Sequence, residues 1–474
     1  MISKTRIQKK QEHELQKILL KLNQTARKND LHGKTSLKTN YQEFAQSWPV
    51  SSYSDYTSYI ERVKKGESDV LWPGRTNLFA VSAGTTGEGK HLPIYAERLS
   101  SDYRYLRCVV KKAIRMIGIL PFLFGNRLSL PGGITFQDGH ILGEISGILA
   151  LFAPKVASWK QLCDPSELAK LSWKEKYEQV VEQGVSNSVT AFTGVPTWIP
   201  QLLDEIAERS GKPIHEQWPE VKICITGGAS FKNYESLLRS RFPESTRFLE
   251  CYGASEGYYA IQKGDEPGEL QLQIDNGLFF ELIPQHNIEE KFSDTEVMAV
   301  PLWKAQIGKK YELVVTNNSG LVRYRSGDVV KMTGNNTLQI TGRVHNVLDI
   351  AGERVQLREI EQILENKLKC EHLLITTLVG SALSRLGIVI VGSEQSKLGI
   401  NILDNELQKL NRHYQIRRET DSFELPEIIY CTRSQIISAA ISIKQQSQVK
   451  LPSVINNPEL GKKWFEEIRV RIDL

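Results

Sequence analysis

Residues 82–90 read Ser-Ala-Gly-Thr-Thr-Gly-Glu-Gly-Lys, directly after a strand-like run at 77–81. Gly84, Gly87 and Gly89 let the backbone turn tightly enough for its N–H groups to face phosphate oxygens. Ser82, Thr85 and Thr86 add hydroxyl donors and Lys90 a positive charge, so the stretch predicts a phosphate-holding loop at a strand end. Taken literally, residues 84–90 also fit the G-x-x-x-x-G-K pattern of a Walker loop. Two residues exclude that reading. His91 stands where such a loop needs Ser or Thr for magnesium, and Pro93 removes a backbone donor where a phosphate-binding helix should run. Glu88 would repel a triphosphate it faced, so it is expected to point outward or to pair with Lys90 until nucleotide arrives.

Outward from the loop, the chain alternates short apolar runs with helical patterns from about Thr76, the rhythm of an α/β architecture. The runs VKICIT (221–226) and RFLECY (247–252) read as buried strands that stop at glycines, Gly227-Gly228 and Gly253. Ligands of open α/β sheets gather at such strand ends. From Lys310 the texture changes to hairpin signals around 317–320. A boundary is expected at or just after Arg343, followed by a smaller unit with a helix at 357–368 and strands at 373–379 and 387–391. Near the N-terminus, residues 11–28 place Leu15, Ile18, Leu19 and Leu22 at helical spacing. The apolar stripe predicts a helix docked on its own domain rather than on a membrane surface.

At 474 residues the chain is too long for one ordinary core, and 40% hydrophobic with 24% charged residues suits a soluble globular protein. A net charge of +5 is far from that of a nucleic-acid binder. The six cysteines form no Cys-x-x-Cys pair, which argues against zinc and against a disulfide framework. Cys108 and Cys224 sit among apolar neighbours and are expected to be buried thiols in a reducing compartment. No apolar h-region follows the early basic residues, and the apolar stretches 116–124 and 145–152 are too short to span a bilayer. The expectation is a cytoplasmic protein, a monomer, with neither nucleic acid nor membrane as partner.

Three further elements follow the loop in order: YGASEG (252–257), YRSGD (324–328) and the pair Gly342-Arg343 within GRVHNVLDIAGERVQLREIE. With the loop, they resemble the motif set of the adenylate-forming enzymes. Between them, FTGVPTWIPQLLDEIAERSGKPI (192–214), WPEVKICITGGASF (218–231), GLFFELIP (277–284) and IGKKYELVVTNNSGLVRYRSGDVV (307–330) narrow the likeness. The chain from about Tyr53 onward is similar to the acyl-acid amido synthetases, the plant auxin- and jasmonate-conjugating enzymes and their bacterial relatives.

That resemblance implies an α/β fold with a large multi-sheet adenylate-forming N-terminal domain (1–343) and a smaller, mobile α/β C-terminal domain (344–474). It implies ATP and Mg²⁺ as cofactors and an acyl-adenylate passed to an amine, an amino acid, without coenzyme A. By resemblance Ser82, Ala83, Gly84, Thr85, Thr86, Gly87 and Lys90 hold phosphate. Tyr252 stacks on adenine, whose edge Gly227, Gly228 and Ala229 approach. Gly253, Ala254 and Ser255 complete the nucleotide turn, with Ser255 on phosphate. Glu256 is the magnesium carboxylate, since Mg²⁺ takes one or two carboxylates plus phosphate oxygens. Asp328 accepts the ribose hydroxyls, and Arg343 holds ribose or α-phosphate from a hinge at 343–345. Lys450, in QVKLPS (448–453), is the lysine brought in during adenylation. Val449 and Ser453 depart from the family pattern there, and Lys444 is the other candidate. An acyl pocket is expected within 103–149, where PGGITFQDG (131–139) interrupts an apolar region. The rivals are an acyl-CoA ligase and a degenerate binding protein. All these roles require the glycine loop, the Tyr-Glu turn and Asp328 to meet in one cleft.

Overall fold

The computed structural model describes residues 2–33, 40–82, 90–196, 199–228, 231–284, 298–344, 347–350, 353–365, 370, 372–379, 383–392, 399–420, 422–444 and 454–472. Its centre is an eleven-stranded mixed sheet. Four strands, Arg127–Ser129, Ala191–Gly194, Ile223–Thr226 and Arg247–Ala254, run parallel. From Arg247–Ala254 the sheet continues antiparallel through Gly257–Gln262, Leu270–Leu272, Thr337–Arg343, Tyr324–Met332, Lys310–Asn317, Leu278–Pro284 and Val300–Pro301. The parallel half carries the connecting helices and the predicted Gly-ended strands. The antiparallel half includes the hairpin region predicted from Lys310 onward.

The antiparallel half is curled. Arg247–Ala254 and Tyr324–Met332 lie four strands apart in sheet order, which in a flat sheet means roughly 19 Å. Yet Tyr252 and Asp328, one from each strand, are hydrogen-bonded at 2.8 Å. The rings of Tyr259 and Phe280 likewise meet edge to face at 6.2 Å across the interior. This closure wraps the largest apolar core around Phe279, Phe280, Leu313 and Leu338. A second sheet of four strands, in the order Lys90–Pro93, Leu78–Ser82, His140–Gly143 and Ile134–Gln137, holds both ends of the glycine loop. Lys90–Pro93 is a strand and not a helix, in keeping with the exclusion of a Walker loop.

The N-terminal amphipathic segment forms two helices, Lys4–Leu22 and Ala26–His32, rather than one over 11–28. Thr25 breaks it by capping the second helix with its side chain. The first helix docks on the sheet as expected, and buried Gln11 exchanges hydrogen bonds with Ile274, Leu278 and Phe280 backbone groups. Beyond Arg343 lie the hairpin Val347–Ile350/Glu353–Gln356 and a four-stranded sheet, Glu427–Cys431, Ser384–Val391, His372–Val379 and Val454–Ile455. Helices Arg433–Lys444 and Pro458–Ile472 cover one face, burying Ile436, Ala440, Trp464 and Phe465 on Leu374 and Val389. The architecture is therefore α/β, with a large multi-sheet part and a smaller C-terminal α/β part. The helix predicted at 357–368 is described over Leu357–Glu365. The two parts touch where the Arg417 guanidinium sits 4.7 Å over the Trp173 ring.

One cysteine departs from expectation. Cys224 is buried, but Cys108 is exposed. Its helix, Ala96–Ile117, buries Arg98, Ser101, Asp102, Tyr105, Val109 and Ala113, and Cys108 falls on the flank of that face. No described helix is long and apolar enough to cross a membrane.

Candidate active site

Strand Ile223–Thr226 ends at Gly227, where a Cβ would stand 3.3 Å from the Cys251 carbonyl oxygen of the neighbouring strand. Gly228 has φ +85°, a conformation that side-chain-bearing residues adopt only under strain. The bare turn therefore lies against the strand one residue short of Tyr252. That strand, Arg247–Ala254, reverses through the two-residue turn Ser255-Glu256 into Gly257–Gln262, with Ala254 opposite Gly257. At Gly253 any Cβ would collide with the Tyr258 ring at 2.5 Å, so the hairpin accepts only glycine.

Tyr252 is buried with its ring edge-on to Tyr259 at 5.0 Å, and its hydroxyl donates to Asp328 Oδ2. Asp328 lies in strand Tyr324–Met332, directly opposite Arg343 in the ladder with Thr337–Arg343. The Asp328 amide donates to Ser326 Oγ at 3.1 Å, and Gly327 supplies the turn with φ +75°. The residues assigned to adenine and ribose are thus one hydrogen-bonded pair, and the hinge arginine is the backbone neighbour of the second.

Tyr324, four residues before Asp328, links two more. Lys90 Nζ donates to Tyr324 Oη at 3.5 Å, and Glu256 lies near enough for its charge to act on the same hydroxyl. Burial, and then the Glu256 charge, push the Tyr324 hydroxyl well above the ordinary phenol range, so it stays protonated and remains a donor. The glycine loop's closing lysine and the turn's glutamate therefore flank one phenol. Lys90 also lies 5.7 Å from the Tyr53 ring centroid, and the next residue's amide, His91 N–H, donates to Tyr53 Oη at 3.0 Å.

Glu256 is held from behind. Its backbone carbonyl accepts from Arg98 Nη1 at 2.5 Å and from Asn317 Nδ2 at 2.8 Å. Arg98 is itself fixed by Asp102, whose two oxygens both lie 2.9 Å from its Nε. Burial pushes the Asp102 carboxyl upward against the pull of Arg98. None of Arg98, Asp102, Asn317 or Tyr53 was singled out in the sequence. Only the i,i+4 Arg98–Asp102 spacing was a visible signal.

Several predicted positions lie outside the described residues: Ala83, Gly84, Thr85, Thr86, Gly87 and Glu88 of the loop, Ala229, His345 and Lys450. Ser82 is described as the strand residue opposite Lys90, which places the two ends of the loop together. Lys444 ends helix Arg433–Lys444. Among the described residues no cluster of three His, Cys, Asp or Glu could hold a metal ion. A single buried carboxylate fits only a cation that phosphate oxygens and water also ligate, which is the habit of Mg²⁺. The 131–139 stretch runs from a Gly132-Gly133 loop into a hairpin that turns at Asp138-Gly139, and the Pro131 carbonyl accepts from buried Lys176 Nζ at 3.2 Å.

Comparison with known proteins gives the context. Residues 3–134 match the GH3 family N-terminal domain, and residues 271–342 match the GH3 family central domain. The chain is 24% identical over 406 residues to the indole-3-acetic acid-amido synthetase GH3.8 of Oryza sativa subsp. indica, covering 69% of this chain and 65% of that protein. It is 27% identical over 366 residues to the 4-substituted benzoates-glutamate ligase GH3.12 of Arabidopsis thaliana, covering 61% of each. Against the jasmonoyl-L-amino acid synthetase JAR4 of Nicotiana attenuata, identity is 24%, covering 63% of this chain and 62% of that one. The chain thus spans under two thirds of the length of these curated relatives. In three dimensions it is similar to the acyl acid amido synthetase AtGH3.15 solved with 2,4-DB, with a TM-score of 0.60 and 18% identity over 97% of this chain and 94% of that one. It is nearly as similar to a 2-hydroxyisobutyryl-CoA ligase solved with 2-HIB-AMP and CoA, with a TM-score of 0.59 and 13% identity over 99% and 93%. At these identities the likeness shows the fold alone.

Proposed function

The chain belongs to the GH3 family, and from that premise we propose that it is an ATP-dependent acid–amine ligase. In this reading a substrate carboxylate attacks the α-phosphorus of ATP and pyrophosphate leaves, giving an acyl-adenylate. An amine, in our reading that of an amino acid, then attacks the acyl carbon. AMP leaves, an amide forms, and the amine's proton passes to water.

The observation that carries the proposal is the convergence of Lys90, Tyr324 and Glu256 beside the Tyr252–Asp328 pair. Loop residues Ser82 to Lys90 would cradle the phosphates, with Lys90 offsetting their charge. Tyr252 and the 227–229 turn would border the adenine, and Asp328 would take the ribose hydroxyls. Glu256 would hold Mg²⁺, which when bound neutralises phosphate charge. Arg343 would reach the nucleotide from the hinge and Lys450 from the smaller domain, 344–474, with Lys444 as its alternate. The six cysteines, all free, favour a cytoplasmic setting, and we expect a monomer.

Pyrophosphate exchange with pooled acids tests the first half-reaction, and mass spectrometry with pooled amines tests the second. Absence of any exchange would favour a degenerate binding protein. One rival is an acyl-CoA ligase, which shares the first half-reaction but passes the acyl group to a thiol. Thioester formation from coenzyme A with no amide from any amino acid would replace the amide reading.

A further inference from the structure

Residues 103–137 carry six basic residues (Arg104, Arg107, Lys111, Lys112, Arg115 and Arg127) and no acid. Residues 145–163 likewise contain Lys155 and Lys160 but no Asp or Glu. The structure joins these two stretches. Helix Ala96–Ile117 stops at Gly118, and the short helix Ile119–Phe124 follows at once. Immediately after it, the Arg127 amide donates to the Lys160 carbonyl at 2.8 Å, and its guanidinium donates to the Trp159 carbonyl. The same guanidinium sits 5.4 Å over the Phe122 ring, so residues 155–160 lie beside the short helix.

What this region shows to solvent is unusual for a protein surface. Ile119, Leu120 and Phe124 are 55%, 65% and 61% exposed, and Val156 and Trp159 are 78% and 58% exposed. Large apolar side chains bared together mark a contact surface. Around them Arg107, Lys111, Arg115, Lys155 and Lys160 are exposed, and none pairs with a carboxylate among the described residues. Arg107, Lys111 and Arg115 fall on one face of the long helix at i, i+4 and i+8. Aromatic and branched side chains at the centre with unneutralised Lys and Arg at the rim match the acyl–headgroup boundary of an anionic bilayer. A second copy of the chain is a poor occupant, because like patches would bring five positive charges against five.

We propose that this face, built from residues 107–124 and 155–160, docks peripherally on anionic lipid bilayers. Phe124, Leu120 and Trp159 enter the headgroup layer and the basic rim contacts lipid phosphates. This departs from the expectation, drawn from sequence, that no membrane is a partner. It does not depend on the ligase reading.

The test uses the full chain and vesicles of phosphatidylcholine, alone or with about one third phosphatidylserine. Flotation should recover the protein with the serine-containing vesicles only, and raising the salt should release it. Brominated lipid should quench tryptophan emission in the wild type and not in Trp159→Phe. Leu120→Ser with Phe124→Ser, and separately Lys111→Glu with Arg115→Glu, should each lower partitioning roughly tenfold or more with an unchanged thermal midpoint. The proposal is overturned if the wild type ignores anionic vesicles at low salt, or if both double variants bind as the wild type does. Concentration-dependent self-association without vesicle binding would assign the face to a second copy instead, and would also overturn it.

Discussion

Tyr252 and Asp328 sit four strands apart in one sheet and share a hydrogen bond, the phenol donating to Oδ2 at 2.8 Å. Sheet curvature thus builds the centre of the candidate nucleotide cleft, and each residue constrains the other. Tyr252→Phe should cost about 1–2 kcal/mol of stability, because Asp328 is left buried with one donor fewer. It should also raise the KM for ATP several-fold in pyrophosphate exchange. Unchanged values for both would mean that the pair neither supports the fold nor shapes the site.

The Glu256 turn is anchored through its backbone carbonyl, by Arg98 and Asn317. Glu256→Ala should therefore leave the thermal midpoint nearly unchanged while cutting adenylation by roughly a hundredfold or more. Lys450→Ala should match that loss yet spare ATP binding measured by calorimetry. If its rate equals the wild type's, Lys444 becomes the lysine to test.

Arg98 and Asp102 form an almost wholly buried ion pair beneath the Glu256 turn. Removing one partner strands the other. Arg98→Met should lose about 3–5 kcal/mol in urea unfolding. Combining it with Asp102→Leu should recover a large part of that stability but not the adenylation rate, since the Glu256 carbonyl has still lost a donor.

Gly228 is left-handed at φ +85°, with open space around the position of a Cβ except for the Val195 methyls at 3.5 Å and beyond. Gly228→Ala therefore meets backbone strain and no collision, at about 1–2 kcal/mol. A loss under 0.3 kcal/mol, by the same order-of-magnitude reasoning, would mean that the turn relaxes to another conformation.

Lys176 is buried beside the Pro131 carbonyl, and desolvation lowers its ammonium pKa from 10.5 to about 8, against the pull of Glu144. Between those values the unfolded chain binds more protons than the folded one, so stability rises with pH across that window. Below pH 8 the cost of the buried charge is fully present. Relative to Lys176→Met, the wild type should gain stability between pH 8 and 10.5, by on the order of 3 kcal/mol at most. Parallel stability–pH curves for the two proteins would refute this.

The elements that reveal themselves in sequence are those whose chemistry fits a short window. The strings YGASEG and YRSGD each place a turn and its polar groups within six residues. The hairpin around 317–320 and the strand ending at Gly227 were legible for the same reason, whereas the next strand runs through Gly253 to Ala254. What sequence hid depends on closure over distance. Lys90 and Tyr324 are separated by 234 positions, and Arg98 and Glu256 by 158, so no local pattern announces either contact. Cys108 misled because its apolar sequence neighbours say nothing about which flank of the helix it occupies. The break at Thr25 was obscured because Leu22 and the residues beyond it keep an acceptable helical texture.

The ladder between Tyr324–Met332 and Thr337–Arg343 has a mechanical meaning. Asp328 and Arg343 face each other, and the next amide, Val344 N–H, still donates to the Gly327 carbonyl at 2.8 Å. Those bonds bolt the chain down through residue 344. If the smaller lobe turns, its fulcrum lies just past that point, close to Asp328, the acid we propose for the ribose. A lever pivoted there can swing a distant side chain through a wide arc while the groups proposed to hold the nucleotide stay still.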